Sequence, residues 1–258
     1  MESFYRLAPP TNKDCVFKKE ILFSTEDLNK LNEKRTVGLQ LNSEQFDSDL
    51  YLDDLIFKPW GYEYRTYADS FNDMWHLKIS PGQSTSMHCH PRKKTVLLCL
   101  EGTANFYTLT ETHALRTMDF VLIHKGAFHA TENIGDSVLE LVEIESPRNK
   151  FDLVRVKDKY GRQGLLYETQ TLERKLAAIE RIDLIADAKI RTNSIDNKYR
   201  FGVKTGMDII CRPDEGLIFI VSLGLNDAIA QDIQVFPAAT TPIPLEQDNL
   251  YFTIGHNL

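Results

Sequence analysis

The sequence lacks the features that would assign it to a membrane, a disulfide-bonded or a nucleic-acid-binding class. It has no apolar run near the roughly 20 residues that a membrane-spanning helix needs, and its first residues lack the apolar centre of a signal peptide. Its 4 cysteines contain no CxxC pair, which argues against a disulfide framework or a zinc knuckle. The formal net charge of -7 gives no general attraction to nucleic acid. We therefore expect a cytoplasmic protein without a nucleic-acid or membrane partner.

Short strand-like runs separated by turn residues are the dominant pattern in the middle of the chain. Trp75–Ile79 alternates apolar and polar residues and ends at a Pro-Gly turn. Further runs follow at 95–100, 103–109, 113–116, 119–123, 127–132 and 138–145. Strands of this length and spacing predict a mainly β protein, with an antiparallel sandwich or barrel at its centre.

Helices are predicted only on either side of these strands. Ser24 resembles a helix N-cap with an acid three residues later, and the short helix that it starts ends near Arg35. A spacing of three to four residues between apolar positions predicts a second helix over residues 171–188. After it, residues 196–258 return to a strand pattern. The runs expected to form strands there are Met207–Cys211, Leu217–Leu223, Ile233–Phe236 and Leu250–Ile254.

Three histidines form the main cluster of candidate metal ligands. His88 and His90 are two residues apart on a predicted strand, so their side chains point to the same side. His129 belongs to a separate run and would complete a set of imidazoles around one ion. Imidazole suits several first-row metals. Taken alone, the His-x-His pair fits an exposed polar strand about equally well.

The spacing of glycines around these histidines resembles that of the cupin family. Gly82, His88, His90 and Gly102 match the first cupin motif, in which a glycine precedes His-x-His and a second glycine follows it. The second motif is matched by Gly126, His129 and Asn133. The resemblance covers residues 58–146. It implies a double-stranded β-helix, also called a jelly-roll barrel.

A closer resemblance, over residues 57–163, is to the type II phosphomannose isomerases. That group includes the cupin ends of bifunctional mannose-1-phosphate guanylyltransferases. The segments that carry the resemblance are Lys58–Glu63, Pro81–Gln83, Glu101–Ala104 and Asp152–Arg162. The likeness implies a divalent metal (Fe, Mn, Zn, Ni or Co), a sugar phosphate or nucleotide sugar as the small-molecule substrate, and a homodimer.

The resemblance divides the chain into a cupin domain and three additional segments. The division predicts a 1–56 N-terminal extension with a short helix and strands, a 57–163 cupin domain, a 164–195 linking helix and a 196–258 C-terminal β region. The last region is either a degenerate second cupin, completed by strands from residues 14–56, or an extension that covers the first barrel or forms a dimer interface.

The sequence departs from the cupin pattern at the carboxylate ligand. The register set by Gly102 puts Thr95 where the family has its metal-binding Glu. Lys93 and Lys94 beside it cannot bind a cation while they are protonated. Three alternatives stay open. The three histidines bind metal with water in the fourth place, a carboxylate comes from elsewhere in the chain, or metal binding has been lost.

Further residues are candidates for catalysis or for substrate binding. The candidate proton-transfer groups are His76 and Lys78, which share a strand face, and His124 beside the second motif. The candidate ligands of a sugar phosphate are cationic: Arg92, Lys93, Lys94 and Arg162. Each also has a plain structural interpretation, as a solvent-facing strand residue, a turn residue or an ion-pair partner.

Three functions fit these observations. The first is a metal-binding cupin that acts on a phosphorylated or nucleotide-linked sugar, as an isomerase or epimerase in carbohydrate or surface-polysaccharide metabolism. The second is a three-histidine Fe(II) cupin oxygenase. The third is a non-catalytic carbohydrate-binding cupin. Fold-level analogy does not decide the reaction.

Overall fold

The computed structural model of this 258-residue chain describes residues 3–5, 18–36, 55–149, 152–161, 190–191, 197–239 and 243–257. The chain falls into two compact units, each built from separate stretches of sequence. The barrel unit comprises Phe17–Arg65 and Asp73–Leu176. The terminal unit comprises Met1–Val16, Thr66–Asn72 and Ala177–Leu258.

Most of the described residues lie in β-strands. In chain order these are β1 (Ser3–Tyr5), β2 (Lys18–Ile21), β3 (Ile56–Lys58), β4 (Gly61–Ala68), β5 (Asp73–Ile79), β6 (Met87–Cys89), β7 (Lys94–Glu101), β8 (Thr103–Tyr107), β9 (Thr112–Arg116), β10 (Phe120–Ile123), β11 (Ala130–Asn133), β12 (Leu139–Ser146), β13 (Val154–Lys157), β14 (Ile190–Arg191), β15 (Tyr199–Thr205), β16 (Leu217–Ser222), β17 (Val235–Pro237), β18 (Ile243–Leu245) and β19 (Leu250–His256). The helices are α1 (Thr25–Thr36), α2 (Gly206–Cys211) and α3 (Leu225–Ala230). None of them is long and apolar enough to cross a membrane.

The barrel unit is built around one large sheet with the strand order β2-β10-β7-β12-β5-β4-β3. The β10–β7, β7–β12 and β12–β5 pairs are antiparallel, whereas β2 runs parallel to β10. Two smaller sheets have the orders β11-β8-β9 and β13-β6. The strands predicted between residues 75 and 145 are therefore confirmed, and so is the mainly β, double-stranded β-helix architecture.

The core of the barrel unit is formed by side chains from the large sheet and the β8–β9 strands. Its buried members include Trp75, Leu77, Leu97, Phe106, Leu115 and Leu141. Strand β12 is buried along its whole length, and so is β5. Because both faces of these central strands are covered, polar residues on either face lie out of bulk water.

The predicted N-terminal helix is confirmed as α1, which begins directly after Ser24. The Ser24 hydroxyl accepts a hydrogen bond from the Asp27 backbone N–H at 3.2 Å, and the Asp27 carboxylate accepts one from the Ser24 backbone N–H at 2.9 Å. This reciprocal pair satisfies donors that a helix start would otherwise leave unpaired.

The C-terminal part of the terminal unit is a five-stranded sheet with the order β14-β15-β19-β16-β17. Predicted strands near residues 217–223, 233–236 and 250–254 are present in it as β16, β17 and β19. Met207–Cys211 was expected to be a strand, which is wrong, because it lies in helix α2. A short apolar run does not distinguish the two states, and the hydrogen bond from the Asp208 N–H to Thr205 Oγ1 starts a helix there.

The expectation that strands from residues 14–56 complete a second, C-terminal barrel is wrong for β2, because that strand pairs with β10 in the large sheet of the barrel unit. The helix predicted over 171–188 lies outside the described residues. The four domain boundaries drawn from the sequence stay a prediction. The two compact units divide the chain differently, since residues 66–72 group with the terminal unit.

Candidate metal centre

The three candidate histidines meet at one point of the barrel unit. His88 lies in β6, His90 directly follows that strand, and His129 directly precedes β11. The backbone N–H of His88 donates to the carbonyl of His129 at 3.0 Å, and the reverse bond is 2.8 Å long. The ring centroids of the three histidines lie 4.5 to 5.4 Å apart. The backbone pairing therefore brings the distant His129 to the His-x-His pair.

Each of these imidazoles is held through its Nδ1 atom by a backbone carbonyl. His88 Nδ1 lies 2.7 Å from the Ser86 carbonyl oxygen, His90 Nδ1 lies 2.6 Å from that of Asp152, and His129 Nδ1 lies 3.1 Å from that of Ala127. A carbonyl only accepts, so each Nδ1 carries the proton, and each neutral ring keeps a lone pair on Nε2. This is the usual arrangement of metal-binding histidines.

A carboxylate completes the cluster, and it comes from Glu143 of β12. The ligand atoms of His88, His90, His129 and Glu143 all lie within 4.8 Å of one another, with Glu143 Oε1 3.9 Å from His90 Nε2. The Nε2 atoms of His90 and His129 are buried and make no hydrogen bond within the described part of the chain. Three imidazole nitrogens and one carboxylate oxygen, aimed at a common point, fit a first-row divalent ion.

Burial keeps the three imidazoles neutral. Removal from water lowers the pKa of His88 and of His90 well below the usual value, and it lowers the pKa of His129 to about 4. The neighbouring histidines and the Lys93 cation act in the same direction on His90. Neutral imidazole is the form that binds metals, so the site is ready for an ion near pH 7 without losing protons first.

Thr95 does not provide the fourth ligand. It lies on β7, where it is opposite Ile123 on one side and Glu145 on the other, and it is 1% exposed. Its hydroxyl makes no hydrogen bond within the described residues. Of the three alternatives that the sequence left open, the geometry favours a carboxylate from elsewhere. Glu143 could have been suspected from the acidic residues that interrupt an otherwise apolar strand.

The cluster opens into a cavity that also contains ion-paired side chains. The cavity has a volume of about 60 Å³ and is partly open to solvent. It is lined by the four cluster residues together with Lys58, Trp60, Glu63, Leu77, Thr85, Ser86, Leu97, Thr131, Leu141, Glu145, Leu153 and Arg155. Lys58 Nζ lies 3.6 Å from Glu63 Oε1, and both side chains are 4% exposed. Sequence reasoning proposed no role for Lys58 or Glu63.

The predicted phosphate-binding cations are not brought together at this cavity. Lys93 is buried, where it pairs with Glu145 at 2.8 Å and donates to the Asn149 carbonyl at 2.9 Å. Arg92 is exposed, and neither it nor Lys94 is among the residues that line the cavity. Arg162 lies outside the described residues. The lysine and arginine that do line the cavity are Lys58 and Arg155.

The predicted proton-transfer residues also lie away from the cavity. Leu77 faces the cavity, so the alternation of β5 places His76 and Lys78 on the opposite face of the sheet. There His76 lies 2.6 Å from the Tyr64 hydroxyl and 3.0 Å from Glu140 Oε2. His124 is half-buried and pairs with Glu20 at 2.5 Å. His76, Lys78 and His124 are therefore not among the residues that line the cavity, and their role in proton transfer stays a prediction.

Comparison with known proteins supports the cupin resemblance over the middle of the chain. The family model described as "Cupin domain" matches residues 75–145. A mannose-1-phosphate guanylyltransferase of Salmonella montevideo is 30% identical over 110 residues, which are 42% of this chain and 23% of that protein. The xanthan biosynthesis protein XanB of Xanthomonas campestris is 28% identical over 110 residues, which are 42% of this chain and 23% of XanB.

Part of the chain also aligns with solved structures. An oxalate decarboxylase from Lactobacillus farciminis, in a formate complex, is 18% identical, covers 40% of this chain and 33% of its own, and has a TM-score of 0.37. KdgF from Halomonas is 15% identical, with 37% and 87% coverage and a TM-score of 0.36.

The matched segment covers only a limited part of this chain and of each relative. The chain spans about a quarter of the length of the curated relatives it matches, 23% in the case of the Salmonella montevideo protein. The segment contains the strands that carry the metal-binding motifs, from β5 to β12. The segment that matches the cupin model also contains His88, His90, His129 and Glu143.

Proposed function

We propose that this protein is a metal-dependent cupin that acts on a phosphorylated or nucleotide-linked sugar in an isomerase- or epimerase-like reaction. The observation that carries the proposal is the four-donor cluster of His88, His90, His129 and Glu143 in the wall of a cavity that Lys58 and Arg155 also line. The similarity to mannose-1-phosphate guanylyltransferases over the same strands supports a sugar phosphate as the class of substrate.

The donor set suits Fe, Mn, Zn, Ni or Co. A bound divalent ion would polarise a carbonyl or hydroxyl group of the sugar. Glu143 adds a negative charge that a site of three neutral imidazoles lacks. The oxygenase alternative assumed three histidine ligands alone, so the presence of Glu143 in the cluster favours the first proposal.

The remaining polar residues of the cavity would orient the sugar and move a proton. Arg155 is 8% exposed and Lys58 is equally well covered, so a phosphate or hydroxyl oxygen near either would make charge-assisted hydrogen bonds out of bulk water. Glu63, which pairs with Lys58, is the carboxylate that we assign to proton transfer. The apolar side chains of Leu77, Leu97 and Leu141 limit the space left for water.

The test is an aldose–ketose assay with mannose 6-phosphate, followed by NMR of the sugar signals. The protein purified without chelator should turn the substrate over, lose that activity after chelation, and recover it with one of the five ions. Glu143→Gln should lose turnover, whereas Glu140→Gln, on the other face of the same strand, is the matched control. Stoichiometric metal without sugar turnover, together with oxygen uptake, would overturn the proposal in favour of the oxygenase.

A further inference from the structure

Asp27, in the first turn of α1, makes a hydrogen bond that the capping of its own helix does not require. Its Oδ2 accepts from the Ser24 N–H at 2.9 Å and from the Ser24 hydroxyl at 2.7 Å. Its Oδ1 accepts from the backbone N–H of Phe128 at 2.9 Å, 101 residues along the chain. The residue is 5% exposed. One buried carboxylate thus starts the helix and holds a distant loop.

The loop that Asp27 holds leads directly into the metal centre. The Phe128 N–H belongs to the Ala127–Phe128 peptide, whose carbonyl oxygen lies 3.1 Å from His129 Nδ1, so the bond to Asp27 fixes the peptide that orients that ligand. The same loop is bound to the first motif, because the Gly126 N–H donates to the His90 carbonyl at 2.8 Å. A displacement of the loop would therefore move His129 and loosen a contact to His90.

The segment before α1 is fitted closely against this loop. The His124 N–H donates to the carbonyl of Ile21 in β2 at 2.9 Å. Gly126 has φ of +80°, and a Cβ atom there would lie 2.8 Å from the Phe23 ring. Leu31 of α1 packs against the cluster that contains Phe128. Strand β2 and helix α1 together restrain the loop from one side.

We propose that Asp27 is a positioning residue of the metal centre, acting through Phe128 to place His129. The inference rests on the proposed function, since it gives this loop a role in metal binding. It extends the site to a part of the chain before residue 75, where the cupin match begins. A charged acceptor makes a stronger hydrogen bond than a neutral one, and a buried one loses little to solvent.

The alternative is that Asp27 serves only to start α1, and two variants separate the roles. Ser24→Ala removes the hydroxyl of the cap but keeps the bond from Phe128. Asp27→Ala removes the bond from Phe128 together with the two bonds that the carboxylate accepts from Ser24. Asp27→Asn keeps an oxygen that can accept from Phe128, although without charge, so it should partly rescue the site.

The measurements are Zn²⁺ affinity by calorimetry and, in the chelated protein, histidine-ring ¹H–¹⁵N NMR together with hydrogen exchange of the Phe128 amide. We expect Asp27→Ala to lower the affinity about tenfold, the scale for residues that orient a ligand. It should also shift the His129 ring signals and speed exchange at Phe128. Asp27→Asn should give an intermediate effect, and Ser24→Ala should match the wild type in all three measurements.

The metal-free measurements keep this inference distinct from the proposed function. If the wild type binds no metal, the proposed function fails, and the His129 signals and Phe128 exchange still decide the role of Asp27. If Asp27→Ala leaves both signals unchanged, or if Ser24→Ala changes them equally, the positioning role is overturned. Should Asp27→Ala fail to fold, the comparison of Asp27→Asn with Ser24→Ala decides in the same way.

Discussion

Two histidine–carboxylate clusters lie on opposite faces of the same sheet in the barrel unit. The inner cluster is His88, His90, His129 and Glu143. The outer cluster is Tyr64, His76, Lys78 and Glu140. All of their members are buried except the half-buried His88, and both take a glutamate from β12, three residues apart. They share composition, burial and a strand, so none of these properties separates a candidate site from a structural network.

The difference is in what the imidazole nitrogens contact. In the inner cluster each Nδ1 is held by a backbone carbonyl, which leaves the Nε2 atoms directed at a common point beside a cavity. In the outer cluster the two nitrogens of His76 meet the Tyr64 hydroxyl and the Glu140 carboxylate. An imidazole nitrogen can bind a metal ion only where it is not already paired with another group of the protein.

The largest expected effect comes from removing inner histidines. The His88→Ala, His90→Ala double variant should lose nearly all of its bound metal, because two of the four donors are gone. His76→Gln should keep the metal of the wild type and should instead lower the free energy of unfolding by about 1–3 kcal/mol, since its partners lose a buried bond. Metal analysis measures the bound metal, and urea unfolding measures the free energy of unfolding. Equal metal in the double variant and the wild type would refute the inner site.

Glu143 and Glu140 both lie in β12, so the same substitution can be made in the inner and in the outer cluster. Glu143→Gln should weaken metal binding at least about tenfold, because even changes in residues that only orient ligands cost that much. Glu140→Gln should leave the affinity unchanged, since Glu140 pairs with His76 and Lys78 on the outer face. Calorimetric titration with Zn²⁺ provides the affinities. If both variants bind metal as the wild type does, Glu143 is not a ligand.

The inner cluster should also make the metal-free protein sensitive to acid. Burial lowers the pKa of His129 to about 4, so below pH 6.5 the unfolded chain takes up a proton that the folded protein does not. The free energy of unfolding should therefore fall as the pH is lowered from 6.5 towards 4, by on the order of 3 kcal/mol for His129 alone. His88 and His90 act in the same direction.

Urea unfolding of the chelated protein at a series of pH values measures this loss. The His129→Gln variant should show a smaller loss over the same range, because Gln does not titrate. A slope that is the same in the variant and the wild type would show that His129 is not held neutral by burial.

The smallest effect is expected at Thr95. Its buried hydroxyl makes no hydrogen bond within the described residues, so Thr95→Val, which has nearly the same shape, should stabilise the protein by about 1 kcal/mol. Metal affinity should not change. Thermal unfolding measures the change in stability, and calorimetry measures the metal affinity. A loss of metal in this variant would return Thr95 to the ligand set and weaken the assignment of Glu143.

The sequence was sufficient to predict the strands between residues 75 and 145, helix α1 and the three histidines, because each follows from short-range spacing, whereas the short apolar run Met207–Cys211 was wrongly predicted as a strand. It did not predict Glu143, since that ligand comes from a strand more than fifty residues after His88 and has no motif of its own. His76 and Lys78 were correctly placed on one face of β5. Periodicity does not say which face is the inner one when both are buried, and the apolar face proved to line the cavity.

The short stretch Thr66–Asn72 bears on whether the predicted cupin domain can be expressed without the rest of the chain. Its first three residues are the end of strand β4, yet the stretch groups with the terminal unit, where the Tyr67 ring lies 5.3 Å from the ring of Phe252. Expression of residues 57–163 alone would leave Tyr67 without that neighbour. On the ribosome, this pairing must wait until almost the whole chain has been made, so folding is delayed by long-range contacts. The predicted domain boundary at residue 163 therefore separates Tyr67 from a residue that it contacts.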